Sequence, residues 1–266
     1  FMLNASIVLY HHSIDTIKSL VETLRASNLI SDIFLIDNSP SPNADFEKLP
    51  VTYIFTGKNL GYGAGHNVAI RETLKKNVPY HLVVNPDVAF EPEILKKIVD
   101  FMDKNTNIGL LMPKVFYPDG EIQYLCKLLP TPFDLIFRRF LPERWTKKRT
   151  EKFEMRASGY DKVIDVPYLS GCFMFFRTEA LREVGLFDER FFLYPEDIDI
   201  TRRMRRKFRT VYYPEVSIIH QHAHSSYENF HMLWIHMFNM IKYFNKWGWF
   251  CDKERKVVNQ EIMKQL

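Results

Sequence analysis

Short apolar runs alternate with amphipathic helical patterns through the first hundred residues, and this order restricts the fold more than any other feature of the chain. Strands are predicted over residues 5–10, 32–37, 51–55 and 82–85, and helices over 13–29, 65–76 and 92–105. In the first helix, apolar residues recur at helical spacing at Ile14, Ile17 and Leu20. Strands joined by helices in this way predict a doubly wound α/β sheet with parallel strands.

The second half of the chain has a different pattern. Strands are predicted over residues 108–115, 166–176 and 211–219, and helices over 179–184, 197–207 and 231–249. Residues 131–155 are rich in Pro, Arg, Lys and aromatic side chains, which is typical of a mobile or membrane-facing insertion. Without a repeat or a linker, we expect one domain over residues 1–230, followed by a C-terminal helical extension over 231–266.

Composition narrows the class of protein. The chain has 266 residues, of which 46% are hydrophobic, so a packed core is expected throughout. Its formal charge of +4 gives weak support for nucleic-acid binding. Cys126, Cys172 and Cys251 are far apart, which argues against a disulfide framework or a structural zinc site and fits a reducing compartment. No run of 18 residues is free of charge, so no transmembrane helix is predicted.

The apolar run over residues 82–90 is interrupted by Asn85-Pro86-Asp87. Pro86 cannot donate a hydrogen bond to a neighbouring strand, so the strand should end there and leave Asp87 at its carboxyl end. Open α/β sheets bind ligands at that edge, where a carboxylate is suited to a divalent metal beside a diphosphate. Asp37 ends another strand in the same way. A turn or helix-cap carboxylate is the alternative for either residue.

Residues 59–67 contain three glycines, at Gly61, Gly63 and Gly65, directly before a predicted helix. Such spacing lets a backbone approach a ligand closely, and the start of the helix favours anions. The segment matches neither the P-loop nor the dinucleotide-binding pattern. A tight bend without a ligand is therefore an equal alternative.

Three carboxylates, Glu196, Asp197 and Asp199, stand at the start of a predicted helix after an aromatic and apolar lead-in. Acids at the start of a helix are favourable on dipole grounds alone, so helix capping is one interpretation. The apolar lead-in suggests instead a carboxylate in a dry pocket, the setting of a general base.

His220, His222 and His224 follow the strand predicted over residues 211–219. Alternate residues of a strand share a face, so these histidines are candidates for a metal cluster. His220 is closest to the strand end and is the one to which we assign a role. His222 and His224 are expected in a loop.

Two basic runs, over residues 138–149 and 202–209, are either solvated faces or binding surfaces. The first is mixed with aromatic residues, and with the aromatic and basic residues of 232–250 it favours contact with anionic lipid headgroups. Packing of that C-terminal segment in the core, or against a second copy of the chain, is also open. The second run supports the competing hypothesis of nucleic-acid binding, which requires its basic side chains on one exposed face beside stacking aromatics.

Together these motifs resemble those of inverting glycosyltransferases of family 2, which have the GT-A fold, and most closely those of the bacterial rhamnosyltransferase branch. The matching segments follow the order of the family: IVLYHH (7–12), LIDNSP (35–40), NLGYGAGHN (59–67), VVNPDV (83–88), YLSGCFMFFRTEAL (168–181), VGLFDERFFLYPEDIDITRR (184–203) and IIHQHAHSS (218–226). The resemblance implies a Rossmann-like, mostly parallel central sheet with flanking helices, a nucleotide-sugar-binding half over residues 1–105 and an acceptor half over 106–230.

The resemblance also implies roles for the donor-binding residues. Asp37 would contact the base of a nucleotide sugar, and Tyr10 would line the same pocket. The segment that contains Asn59, Gly61, Gly65 and Asn67 would lie near the donor.

Asn85-Pro86-Asp87 stands at the family's Asp-x-Asp metal motif. Because Asn85 replaces the first acid, it is counted among the donor-binding residues, and Asp87 is expected to be the main carboxylate ligand of Mg²⁺ or Mn²⁺. His220 would complete the metal or diphosphate contacts.

The acceptor side follows from the same resemblance. Asp197 matches the catalytic base, with Glu196 beside it, and Ser170 and Gly171 would approach the acceptor.

The implied activity is transfer of a sugar, with rhamnose expected, from a dTDP- or UDP-sugar to a glycan or lipid-linked acceptor, with inversion at the anomeric carbon. The expected location is the cytoplasmic face of the membrane, and no nucleic-acid partner is expected. A catalytically silent scaffold of the same fold remains an alternative, because fold does not prove activity.

Overall fold

The computed structural model describes residues 2–221 and 230–266, and of Phe230 only the backbone. In these ranges nine strands form one sheet: β1 Leu3–Leu9, β2 Ile30–Asp37, β3 Thr52–Phe55, β4 Tyr80–Val84, β5 Val88–Ala89, β6 Ile108–Phe116, β7 Ile164–Asp165, β8 Phe173–Arg177 and β9 Arg209–His220. The α-helices of the same ranges are α1 Ile14–Ala26, α2 Tyr62–Lys75, α3 Glu93–Lys104, α4 Pro132–Leu135, α5 Glu143–Phe153, α6 Thr178–Val184, α7 Glu196–Arg205, α8 Phe230–Trp247 and α9 Lys253–Met263. Short 3₁₀ helices cover Ala44–Lys48, Phe137–Phe140 and Arg156–Ser158.

The sheet has the order β3-β2-β1-β4-β8-β6-β9-β5, with β7 beside β9. Strands β1 to β4 are parallel to one another, and β6 is parallel to β9. Strand β8 is inserted antiparallel between β4 and β6, so β6 and β9 run in the same direction as β1 to β4. The predicted α/β class, with a mostly parallel central sheet and flanking helices, is confirmed.

The helices cover the two faces of the sheet with apolar side chains at helical spacing. In α1 the buried positions are Ile17, Leu20, Val21 and Leu24, which recur every three or four residues. They join a hydrophobic cluster with the buried residues of α3 and one face of β1. A second cluster on the other face joins α6, α7, α8 and residues of the 126–155 segment.

Two of the predicted elements are wrong in their extent. The strand predicted over 166–176 is shorter in the structure, where β8 covers Phe173–Arg177. The apolar side chains of residues 166–172 are buried, but pairing there is reduced to an isolated bridge of Tyr168 with Lys127, and a pattern of hydrophobicity does not distinguish this from a strand. Helix α2 begins at Tyr62, so Gly63 and Gly65 lie inside its first turns and not in a preceding turn.

Residues 131–155 form short ordered helices in the structure. Thr131 and Asp134 make a capping box at the start of α4, and Arg149 of α5 donates to Asp134 at 2.9 Å. The side chain of Phe153 is buried, whereas those of Phe140 and Trp145 are each 68% exposed. The segment therefore has an internal framework and an outward aromatic surface.

Helices α8 and α9 pack on α7 and the segment before it. Asn239 of α8 accepts a hydrogen bond from the backbone of Phe192, and Lys246 binds Asp199 at 2.6 Å. Arg202 of α7 forms a buried bidentate pair with Asp252, the residue that caps α9. No helix in the described ranges is both long and apolar enough to span a membrane.

Candidate active site

The topology of the sheet brings the predicted site residues to one edge. Because β4 and β8 are antiparallel and Val84 pairs with Phe173, the residues after β4 lie beside the residues before β8. The backbone N–H of Asn85 donates to the carbonyl oxygen of Cys172 at 2.9 Å. Strand β9 runs in the direction of β4, so its last residue, His220, reaches the same edge. This is the carboxyl edge at which open α/β sheets bind ligands.

Asp87 and His220 lie side by side at this edge. Asp87 Oδ1 is 3.3 Å from His220 Nε2, and the pairing of Val88 with His220 holds the two backbones together. Burial alone would lower the pKa of His220, but hydrogen bonds to Asp87 and Cys172 outweigh burial and raise that pKa to about 10. A cation bound at this place would compete with the proton on the imidazole.

Gln123 orients the imidazole from behind. Its Oε1 lies 3.3 Å from His220 Nδ1, and its Nε2 donates to the backbone oxygen of the same histidine at 2.8 Å. When a cation displaces the proton on Nε2 while Nδ1 keeps its own, the imidazole presents the Nε2 lone pair to that cation. A partner of this kind is what fixes the tautomer of histidines that bind metals.

The pair of Asp87 and His220 fits a divalent cation. Two ligand atoms at 2.0–2.2 Å from one octahedral ion stand about 3 Å apart, which is close to the separation found here. A carboxylate oxygen suits Mn²⁺ or Mg²⁺, and an imidazole nitrogen favours the softer Mn²⁺ of the two. In the described residues, no group of three or more His, Cys, Asp or Glu side chains converges, so the diphosphate of a substrate would complete the shell.

Tyr62 connects the Asn85–Asp87 segment to the segment that contains Gly171. Its hydroxyl contacts Asn85 Oδ1 at 2.8 Å and the carbonyl oxygen of Gly171. Burial raises the pKa of Tyr62 well above its usual value, so the hydroxyl stays protonated and donates. The side chain therefore ties the strand end after β4 to the segment before β8.

Asp197 lies at the first turn of α7 and is 4% exposed. Its Oδ2 accepts the backbone N–H of Gly171 at 3.0 Å, and its Oδ1 accepts that of Ile198 at 2.9 Å. Burial raises the pKa of Asp197, and the hydrogen bond from Gly171 and the charge of Lys127 oppose this rise. Such a carboxylate is a stronger base than an exposed one.

Glu196 is buried beside Asp197. Burial raises its pKa, and the charge of Asp197 raises it further. Its Oε2 has no hydrogen-bond partner among the described residues. A buried oxygen without a partner is costly, so this atom is available to a ligand that donates a hydrogen bond.

Asp37 lies at the end of β2, buried, with both carboxylate oxygens engaged. Tyr53 donates to Oδ2 at 2.6 Å and the backbone of Ser39 donates to Oδ1 at 3.0 Å. Tyr10, at the end of β1, is 47% exposed and lines an open surface. His12 is near both Asp37 and Asp87. Burial lowers the pKa of His12, and the charges of the two carboxylates oppose that change.

The glycine segment contacts protein rather than open space. Gly61 has φ +88°, and a Cβ there would lie 2.2 Å from the backbone oxygen of Phe192. A Cβ at Gly65 would lie 2.9 Å from Val8. These glycines let α2 pack closely against the segment before α7 and against β1.

The two asparagines of the same segment differ in exposure. Asn67 is buried and exchanges hydrogen bonds with the backbone of Phe187, while Asn59 is exposed and accepts the backbone N–H of Gly61. Ser170 is half-buried beside Gly171, and its Oγ accepts the N–H of Cys172 at 3.4 Å. Of these positions, Ser170 is the neighbour of Gly171, which contacts Asp197, while Asn67 serves the packing of α2.

Tyr62, Gln123, Lys127 and His12 were not among the predicted site residues. Tyr62 was visible as an aromatic residue inside the glycine segment, and His12 as part of the strand-end motif IVLYHH. Gln123 and Lys127 lie in a stretch without a motif, so no signal in the sequence marks them. His222 and His224 lie outside the described residues.

The basic run over 202–209 does not form one exposed face. Arg202 is buried and stacks on Trp247, and its guanidinium binds Asp252 and Glu254. The other ion pairs of the run are Arg203–Asp199, Arg206–Glu254, Lys207–Glu183 and Arg209–Asp165. Five basic side chains of the run are therefore engaged in ion pairs with carboxylates.

Comparison with known protein families decides the class of the chain. Residues 43–238 match the family described as Glycosyltransferase like family 2. The chain belongs to this family. The resemblance seen in the motifs is thus confirmed, and the enzyme is a glycosyltransferase.

Two relatives of the glycosyltransferase carry rhamnosyltransferase names. One is the N-acetylglucosaminyl-diphospho-decaprenol L-rhamnosyltransferase of Mycobacterium tuberculosis, which is 30% identical over 213 residues and matches 73% of this chain and 67% of its own. The other is the rhamnosyltransferase WbbL of Escherichia coli, which is 27% identical over 231 residues and matches 83% and 84% of the two chains.

Solved structures show that the glycosyltransferase has the GT-A fold. GalNAc-T7, solved with UDP, GalNAc and Mn²⁺, superposes with a TM-score of 0.60 and 14% identity. The superposition covers 82% of this chain and 43% of the GalNAc-T7 chain. At this identity the likeness concerns the fold alone.

Proposed function

We propose that this glycosyltransferase transfers rhamnose or a related hexose from a dTDP- or UDP-sugar to a hydroxyl of a glycan or lipid-linked acceptor, with inversion of the anomeric carbon. The observation that carries the proposal is the buried Asp197 carboxylate, held by the Gly171 N–H at the carboxyl edge of the sheet. The contacts of Tyr62 with Asn85 and Gly171 connect this carboxylate to the Asp87–His220 pair, which supports its assignment as the base.

The sugar and the acceptor class are inferred from the relatives. Both relatives described above are named as rhamnosyltransferases, and the name of the mycobacterial enzyme includes a diphospho-decaprenol acceptor. Synthesis of cell-surface polysaccharide on a lipid carrier at the cytoplasmic membrane face is consistent with both names.

In the proposed reaction, Asp197 accepts the proton of the acceptor hydroxyl while that oxygen attacks the anomeric carbon. The bond from the anomeric carbon to the diphosphate oxygen breaks on the opposite face, and the nucleoside diphosphate leaves with the bonding electrons. One displacement inverts the configuration, and no covalent enzyme intermediate forms. Mg²⁺ or Mn²⁺, held by Asp87 and His220, would neutralise charge on the diphosphate.

Glu196 and Tyr62 support this arrangement without accepting the proton. Because the pKa of Glu196 is raised, it can remain protonated and donate a hydrogen bond to the substrate from its unpartnered side. Tyr62 holds Gly171 next to Asn85, and Asp197 is held there through its hydrogen bond from Gly171.

Contact with a membrane is inferred from exposed aromatic side chains on two segments. In residues 138–149 these are Phe140 and Trp145, and in 232–250 they are Trp234, Phe238 and Phe250. Exposed aromatic residues next to Lys and Arg are typical of proteins that lie at the membrane interface.

The proposal is tested with Asp197→Asn, which keeps an oxygen for the Gly171 N–H but removes the base. We expect transfer to fall by about 10²- to 10⁴-fold, with an unchanged melting temperature and an unchanged thermal shift on donor binding. Asp100→Asn, at an exposed helical ion pair, is the matched control. Full transfer by Asp197→Asn would refute the assignment of the base.

The donor is tested by a thermal-shift screen of nucleotide sugars, with and without Mn²⁺. A ligand that binds the folded state raises the melting temperature by mass action. We expect a metal-dependent shift with dTDP- or UDP-sugars. A shift with no nucleotide sugar would contradict the proposed function.

A further inference from the structure

A chain of side-chain contacts leads away from Asp197 toward α8. The backbone of Lys127 bonds to Tyr168 at 3.1 Å, and its ammonium lies over the Tyr168 ring, 5.3 Å from the ring centroid. The hydroxyls of Tyr168 and Tyr194 are 3.0 Å apart, and the ring of Tyr194 stacks on His236 at 5.7 Å. Burial is the largest cause that raises the pKa of both tyrosines, and the charge of the nearby Asp197 raises each pKa further.

We propose that Lys127, Arg139 and His236 bind the phosphate groups of a lipid-linked acceptor, directly beside the catalytic base. This inference rests on the proposed function. We call these three residues the acceptor phosphate site.

His236 supplies the observation that points to a ligand. It is 8% exposed, and its Nδ1 has no hydrogen-bond partner among the described residues. Leaving such a polar atom buried and unpaired costs stability, which a bound acceptor oxygen would recover. Burial and the charge of Arg139 both lower the pKa of His236, so the ring is neutral and its Nδ1–H can donate to a phosphate oxygen.

The two cations give the site its preference for an anion. Arg139 lies near enough to His236 and Tyr194 for its charge to lower the pKa of each. The charge of Lys127 lowers the pKa of Asp197, so the two side chains are near each other. The carboxylate of Glu154, which is also near Lys127, is paired with Arg156 at 2.6 Å. An Arg, a Lys and a neutral imidazole donor form a set that suits phosphate oxygens.

The position of the site favours the acceptor over the donor. Asp87 directly precedes β5 and His220 ends β9, whereas Lys127, Arg139 and His236 come from the 126–155 segment and from α8. An acceptor hydroxyl at Asp197 would place a phosphate on the other end of the same sugar next to Lys127. The anion is therefore expected one sugar unit from the reacting oxygen.

An apolar groove lies along α8 and includes Ile235, which precedes His236 in sequence. It is a cavity of about 350 Å³ lined by Phe192, Trp234, Ile235 and Phe238, with Lys242 at its rim. The exposed Phe140 and Trp145 belong to the segment that carries Arg139. A ligand with a diphosphate head and an isoprenoid chain matches the spatial order of the base, the cations and the apolar groove. A bilayer phospholipid does not match it, because it has no sugar hydroxyl to place at Asp197.

The site is tested with Arg139→Met and His236→Phe, the second of which keeps an aromatic ring against Tyr194. Binding of two probes is measured by calorimetry: N-acetylglucosamine linked through diphosphate to a farnesyl chain, and the octyl glycoside of the same sugar. We expect each variant to bind the diphosphate probe about ten- to hundredfold more weakly, with unchanged binding of the octyl glycoside. Lys148→Met, at an exposed position of the same segment, is the matched control.

Three results would overturn the inference. Equal weakening for both probes would show that the residues hold the sugar or the chain and not phosphate. Unchanged affinity for the diphosphate probe, with loss of binding to anionic phospholipid vesicles, would assign the residues to the bilayer surface. Unchanged binding in every assay would exclude the site. Because probe binding needs no donor, these results are independent of whether transfer from a nucleotide sugar is observed.

Discussion

The backbone N–H of Gly171 donates to Oδ2 of Asp197 at 3.0 Å. A Cβ at position 171 would lie 3.4 Å from Tyr62 Cε1 and 3.6 Å from the same Oδ2, in ordinary van der Waals contact with both side chains. The contact orients the carboxylate and partly offsets the effect of burial on its pKa. The segment that precedes β8 therefore orients the carboxylate that we propose as the base.

Lys127→Met should move the acid limb of the pH–rate profile to higher pH. Transfer needs Asp197 deprotonated, burial raises its pKa, and the charge of Lys127 lowers it. Removal of that charge raises the pKa further, so activity is lost at a higher pH as the solution is acidified. The measurement is kcat/KM against pH, with Lys148→Met as control. An acid limb that stays in place would contradict the electrostatic role of Lys127.

Gln123→Met should weaken metal binding by about 10- to 100-fold, because it removes the group that orients the His220 imidazole. The affinity for Mn²⁺ is measured by calorimetry in the presence of a nucleoside diphosphate. Gln221→Met changes an exposed side chain next to His220 and should leave the affinity as it is. Equal Mn²⁺ affinities in the two variants would show that Gln123 does not support metal binding.

Tyr62→Phe should lower the free energy of unfolding by about 1–3 kcal/mol, since it removes the single hydroxyl proton that Asn85 Oδ1 and the Gly171 carbonyl share. The rate of transfer should fall as well, because the two halves of the site are no longer connected. Urea unfolding and single-turnover rates test the two effects. Tyr124→Phe, in a ring that packs on Tyr160, is the control, and a similar rate loss there would argue against a specific connection.

Arg202→Met should destabilise the fold by about 3–5 kcal/mol, because it leaves Asp252 buried without its bidentate partner. Arg206→Met removes a half-exposed pair to Glu254 and should cost about 1 kcal/mol or less. Urea unfolding of both variants compares them directly. Equal losses would show that the Arg202–Asp252 pair does not anchor α9 to α7.

The position of several site residues could be predicted because it depends on local pattern. Asp87 follows a buried strand that Pro86 ends, and Asp197 starts a helix after an apolar lead-in, so both features are visible over a few residues. The roles of Asp37, Asp87 and His220 in binding donor and metal stay predictions. Gln123 and Lys127 could not be predicted, because their importance comes from contacts with His220 and Tyr168 that are distant in sequence.

By itself, the sequence determined the α/β alternation, the carboxylates at the ends of strands and the family. Local hydrophobic periodicity and strand-ending residues encode these features. Only the tertiary structure decided that β8 lies antiparallel between β4 and β6, which places Gly171 beside Asn85 and against Asp197. It also decided that the glycines of α2 serve close packing and that α8 brings His236 toward the base. The pairing of distant strands and the burial of a charge depend on the whole fold, and no short segment carries that information.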